Sequence, residues 1–145
     1  ATPRFRTHPP IPSSMMADTE SPGADDALID DDGETLAKVI ARAADDKKGD
    51  DIVVLDVGDV LAIAGWFVIV SASNSRLVES LAGDVEAAAK AELGRSPVRM
   101  EGHREKQWVL IDYGDVIVHV FLDETREFYE IERLYKDVPR IDWRA

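Results

Sequence analysis

A chain of 145 residues, 45% of them hydrophobic, is about one domain's worth and can bury a core; the absence of cysteine excludes disulfides and thiolate metal sites. A net charge of −12 disfavours direct binding to a phosphate backbone, which needs concentrated Lys and Arg, and favours a basic protein partner. No apolar run approaches the roughly 18 to 20 residues of a membrane span and the N-terminus lacks the apolar stretch of a secretory signal, so a cytoplasmic protein without membrane contact is expected.

Residues 1–24 hold five of the seven prolines, with Ser and Thr and almost no apolar periodicity. Asp25, Asp26, Asp30, Asp31, Asp32 and Glu34 follow and supply half of the net charge. Such composition cannot bury enough apolar surface to offset the entropy of ordering. Residues 1–33 are therefore expected to be a disordered acidic leader and residues 34–145 the folded domain.

From Thr35, the positions Leu36, Val39, Ile40 and Ala43 recur at helical spacing, with Asp32 or Gly33 able to cap and Lys47-Lys48-Gly49 closing the segment. Asp51 to Val57 follows as a near-continuous apolar run, the pattern of a central strand covered on both faces. Residues 60–64 are ambiguous, and a second strand runs from Trp66 to Ala72. A long helix is predicted from Ser75 to Leu93, with Leu77, Val78, Leu81, Ala82, Val85, Ala88 and Ala89 on one stripe and Gly94 as its C′ residue.

A strand near Val98 to Glu101 precedes a hairpin whose turn falls at Gly114-Asp115, where a residue with positive φ is needed. Period-two alternation puts Trp108, Leu110 and Asp112 on one face and Val109, Ile111 and Tyr113 on the other. A last helix is predicted from Glu124 to about Tyr135, with Asp123 as N-cap and Phe128, Ile131, Leu134 and Tyr135 at core spacing. These elements together make an α/β layered domain.

The block Trp108-Val-Leu-Ile-Asp-Tyr-Gly-Asp-Val-Ile-Val-His-Val-Phe121, followed by Glu124, Arg126 and Phe128-Tyr129, resembles the signature of the ribosomal silencing factors, the Iojap-like proteins. Asp51 to Val57, Trp66 to Val70, Ser73-Asn-Ser-Arg76 and Leu134 to Arg140 match further blocks in the same order, so the resemblance runs from about Thr35 to Arg140. It implies an α/β (α+β) fold with a five-stranded mixed sheet flanked by helices, related to nucleotidyltransferases. It also implies a non-enzymatic, cytoplasmic translation repressor without a cofactor. Its partner would be the large ribosomal subunit, reached through ribosomal protein L-fourteen with little direct nucleic-acid contact, and its bulk would keep the small subunit from joining. A homodimer through the same sheet would compete with that binding.

On this resemblance the partner-binding residues are expected to be Glu101, Trp108, Asp112, Tyr113, Asp115, Arg126 and Tyr129. Trp108 is an aromatic anchor by one reading and a sheet-packing residue by the other. Asp112 and Asp115 are turn acids, or with Tyr113 a charge match for a basic partner. Glu101, Arg126 and Glu130 fit a charged rim or ordinary surface ion pairs. His119, flanked by Val118 and Val120, fits a hydrogen-bonded structural histidine.

The enzymatic alternative is nucleotidyl transfer, which needs an Asp-x-Asp pair on a strand after a Gly-Ser turn. Asp56 and Asp59 are one residue too far apart and lack that turn, and Asp112 and Asp115 only straddle the hairpin turn. Ser71 to Ser75 could present an anion site at a helix N-terminus, although capping explains it more economically. No metal site is expected. A third reading is an adaptor that uses this sheet for protein contacts unrelated to the ribosome, and another is a large-subunit assembly adaptor.

Overall fold

The computed structural model describes residues 30–58, 61 and 64–144. Of the expected leader, residues 1–29 lie outside them. Residues 30–33 belong instead to the first helix, α1, which spans Asp30–Asp46 and so begins four residues before the expected boundary. Asp32 and Gly33 are therefore in its first turn rather than capping it. Gly33 is required there for space: a Cβ would stand 2.6 Å from Nε1 of Trp66. Leu36, Ala37, Ile40, Ala41 and Ala44 form the buried stripe. Lys48, at φ 67, ends the helix, and the Gly49 N–H donates back to the Ala44 carbonyl at 2.8 Å.

The sheet contains β1 (Asp50–Asp56), β2 (Trp66–Ala72), β3 (Arg99–Glu101), β4 (Trp108–Asp112) and β5 (Val116–Leu122) in the spatial order β1-β2-β5-β4-β3. Only β2 and β5 pair in parallel, while the other neighbours are antiparallel, so the sheet is mixed. The parallel step requires a crossover, supplied by α2 (Ser75–Leu93) and the β3–β4 excursion. Asn74 caps α2 by accepting from the Leu77 N–H at 2.9 Å, and Gly94, at φ 66, closes it.

β1 corrects the sequence reading, because it is an edge strand rather than a central one. An apolar run reports cover above and below, which β1 has: Val54 joins the core on one face and Leu55 the core on the other. It does not report lateral neighbours. The outer edge of β1 is closed by the C-terminal segment, which bridges Leu55 to Arg140 and pairs the Asp56 N–H with the Pro139 carbonyl and the Ile141 N–H with the Val54 carbonyl. Trp143 then inserts into the core and donates to the Ile52 carbonyl at 3.3 Å. The arrangement leaves no long bare edge on this side to template aggregation.

α1 and α2 cover one sheet face through Val68, Val70, Val109, Ile111, Val118 and Val120. The other face carries Phe67, Ile69, Trp108, Leu110, Ile117 and Phe121, against which Ile131, Tyr129, Tyr135 and Val138 pack. Hence the alternation expected along β4 is observed.

The expected single last helix is two short ones, α3 (Asp123–Tyr129) and α4 (Ile131–Leu134), separated by Glu130 at φ 46, ψ 51. Asp123 lies inside α3, whose cap position is Leu122. The break brings an ion pair together. Arg126 holds Glu132 by two hydrogen bonds, Nε to Oε1 at 3.0 Å and Nη2 to Oε2 at 2.8 Å. Six residues of continuous helix would put these side chains about 120° apart around the axis and about 9 Å apart along it, a poor geometry for a two-bond pair that the bent chain brings together. The bend also resets the apolar phase, so Phe128 and Leu134, expected in the core, are 48% and 74% exposed.

Candidate docking face

The hairpin closes where expected. The Tyr113 N–H donates to the Val116 carbonyl at 2.9 Å across Gly114-Asp115, and only Gly114 of that pair has positive φ, at 94, as in a type II′ turn. Asp112 Oδ1 accepts from the Gly114 N–H at 2.7 Å, and its carboxylate lies 3.8 Å from Arg99, which also lies 3.8 Å from Glu101. Asp115 takes two hydrogen bonds from Arg95, at 2.7 and 3.5 Å. Its carbonyl accepts from the N–H groups of Gly65 and Trp66. Both acids are therefore committed to building the turn.

Three of the expected residues are buried. Trp108 is only 2% exposed, which takes its indole out of reach of a docked partner in this conformation. It is a packing residue: ring centroids lie 4.8 Å from Phe121 and 4.9 Å from Tyr129. Tyr113 is 4% exposed, and its buried hydroxyl has no hydrogen-bond partner. Burial, reinforced by Glu86 and opposed by Arg95, pushes that hydroxyl up to about 12. Arg126 is buried away from the hairpin, where it donates to the Asp50 and Asp51 carbonyls at 3.3 and 2.7 Å and to Ser71 Oγ at 3.0 Å. These bonds lock α3 to the start of β1, where Asp51 turns at φ 50. Of the expected set, Trp108 and Tyr129 come into contact, and Glu101 and Asp112 share Arg99. Asp115 stands with Arg95 beside Tyr113, and Arg126 stands apart.

His119 is fully buried and confirms the structural reading. Its Nδ1 accepts the indole N–H of Trp108 at 3.1 Å, so the neutral ring carries its proton on Nε2. Phe67 meets the imidazole edge to face at 4.5 Å. Burial pushes its pKa down to about 3. Glu132 is held below the ordinary carboxylate range, first by the hydrogen bond from Arg126 and against its own desolvation.

A run of aromatic rings therefore leads outward from the sheet. Phe121 meets Trp108, Trp108 meets Tyr129, and Tyr129 meets Phe128 edge to face at 5.0 Å, where the run reaches solvent. Sequence reasoning missed Phe128 and Leu134 as surface residues, yet a signal was present. On one helix Phe128, Tyr129, Ile131, Leu134 and Tyr135 would span about 220°, more than a single buried stripe of roughly 100° accommodates.

A cavity of about 450 Å³ lies around Arg126, lined by Asp50, Asp51, Asp123, Glu127, Glu130 and Glu132. Among the described residues no group of three or more His, Cys, Asp or Glu side chains has the arrangement of a metal site. No helix among them is long and apolar enough to cross a membrane.

Residues 30–145 match the family model described as "Ribosomal silencing factor during starvation". The protein named ribosomal silencing factor in Bacillus subtilis is 37% identical over 108 residues, covering 74% of this chain and 91% of that protein. The chloroplastic protein Iojap of Arabidopsis thaliana is 32% identical over 127 residues, covering 86% of this chain and 51% of that one. A crystal structure of a Chromobacterium violaceum protein superposes with a TM-score of 0.68 at 36% identity, over 71% of this chain and 85% of that one. One from Bacillus halodurans gives 0.65 at 31%, over 75% and 98%.

Proposed function

The chain belongs to the ribosomal silencing factor family, and from that premise we propose that it represses translation by binding the large ribosomal subunit, through ribosomal protein L-fourteen, so that the small subunit cannot join. The observation that carries this reading is the family match over residues 30–145. The action is steric. It needs a stable interface beside the subunit-joining surface and no bond chemistry, which agrees with the regulatory role in the relatives' names.

A net charge of −12 suits a basic ribosomal protein and would steer the encounter, so association weakens as salt screens it. The face that docks is the second sheet face and its helical cover, where the hairpin, α3 and α4 meet. Trp108 and Arg126 act there by holding α3 in place, and Tyr129, Glu101 and Asp112 stand closer to the surface. Nucleotidyl transfer would call on Asp112 and Asp115, whose carboxylates are engaged with the Gly114 N–H and with Arg95.

Equilibrium binding to purified large subunits over a range of salt tests the reading. Saturable binding that weakens with salt is expected. Absence of binding at low salt would overturn it.

A further inference from the structure

We propose that the bend between α3 and α4, rather than the hairpin, is the anchor of the docking face: Phe128 and Leu134 insert into apolar depressions on a basic protein surface, and Asp123, Glu124 and Glu127 meet the Arg and Lys side chains around them. The inference rests on the large-subunit reading and specifies which side chains of this chain make the contact and what chemistry the partner presents.

Three observations carry it. Phe128 and Leu134, 48% and 74% exposed, project from the two helices that, among the described residues, cover the second sheet face, and large apolar groups left in water are where interfaces gain most on burial. Second, Phe128 is held rather than loose. Its ring rests on Tyr129, which rests on the buried Trp108, so little rotamer freedom is lost when a partner immobilises it.

Third, the local charge is specific. The carboxylates of α4 and of the bend are occupied, Glu132 by Arg126 and Glu130 by Arg133 at 3.3 Å. Asp123, Glu124 and Glu127 make no ion pair among the described residues, and Glu124 and Glu127 are exposed, so the helix that carries Phe128 presents an acidic surface. An apolar anchor beside such charges is complementary to a basic surface and repels a second copy of the same acidic face. The hairpin offers no comparable feature, since Trp108 and Tyr113 are buried and Asp112 and Asp115 are engaged.

The test compares the full chain with Phe128→Ala/Leu134→Ala and with Glu124→Lys/Glu127→Lys in binding to purified large ribosomal subunits, with thermal midpoints measured alongside. Wild type should bind. The apolar double variant should bind at least about tenfold more weakly with an unchanged midpoint, as expected for the loss of two anchors. The charge-reversed variant should bind more weakly and with a shallower salt dependence. Wild-type affinity in the folded apolar variant would overturn the anchor while leaving the large-subunit reading intact. Failure of the wild type to bind would remove that reading and the anchor with it. A wild-type dimer that the apolar variant dissociates, with subunit binding unchanged, would reassign the bend to self-association.

Discussion

Lowering the pH from 7.5 to 5.0 should destabilise the fold through one residue, His119. Its ring is fully buried and accepts the Trp108 indole N–H, so the folded state keeps it neutral, with a pKa of about 3 against an ordinary value of 6.5. Between those values the unfolded chain binds a proton that the folded chain does not. Stability is therefore complete above 6.5 and falls as the pH drops toward 3, by about 1.4 kcal/mol per unit. At pH 5.0 the loss from this group is about 2 kcal/mol, a large part of the roughly 5 to 15 kcal/mol that holds a domain together. Urea unfolding followed by tryptophan fluorescence at both pH values measures it. His119→Gln keeps an acceptor for the indole and removes the titration, so its loss should be smaller than the wild type's by that amount. Equal losses in the two proteins would refute the reasoning. Glu132, whose depressed pKa acts below 4.5, contributes little in this window.

Gly33→Ala should destabilise by about 1 to 3 kcal/mol, as overpacking does, because the new methyl would meet the Trp66 indole at 2.6 Å; a denaturation midpoint equal to wild type would show that α1 can slide. Arg126→Met leaves the Asp50 and Asp51 carbonyls and the Glu132 carboxylate without their donor. A cost of roughly 2 to 3 kcal/mol is expected, at or below the low side of the range for a broken buried pair because the Glu132 side chain is 26% exposed. Chemical unfolding measures it. Trp143→Ala should release the C-terminal segment from β1, seen as faster hydrogen exchange at the Asp56 and Ile141 amides and as greater aggregation from the bared edge.

Local patterns carried much of the fold. The Ser75–Leu93 helix, the β4–β5 turn and the two-faced alternation on β4 each follow from residues within one segment and are found as expected, except that Leu77, expected on the helix's apolar stripe, is 40% exposed. What failed depended on partners distant in sequence. β1 reads as central because its side chains are covered, and only the return of residues 139–143 to its side explains an apolar strand at an edge. The broken last helix goes with Arg126, which pairs with Glu132 six residues on and reaches back 76 and 75 residues to the Asp50 and Asp51 carbonyls, contacts that leave no periodic trace.

The candidate docking residues were partly legible for the same reason. Composition marks Trp108 as an anchor candidate, but its burial is decided by Tyr129, Phe121 and His119, which only the folded sheet assembles around it. Conversely, Phe128 and Leu134 sit at core spacing in the sequence and reach solvent because Glu130 breaks the helix between them.

Subunit joining tests the central proposal most directly. Purified large subunits are incubated with the full chain, small subunits are added, and the mixture is resolved on a sucrose gradient. Silencing requires the chain to migrate with free large subunits and the joined ribosome peak to shrink as bound chain increases. Joined ribosomes forming to the same extent with the chain bound would contradict it.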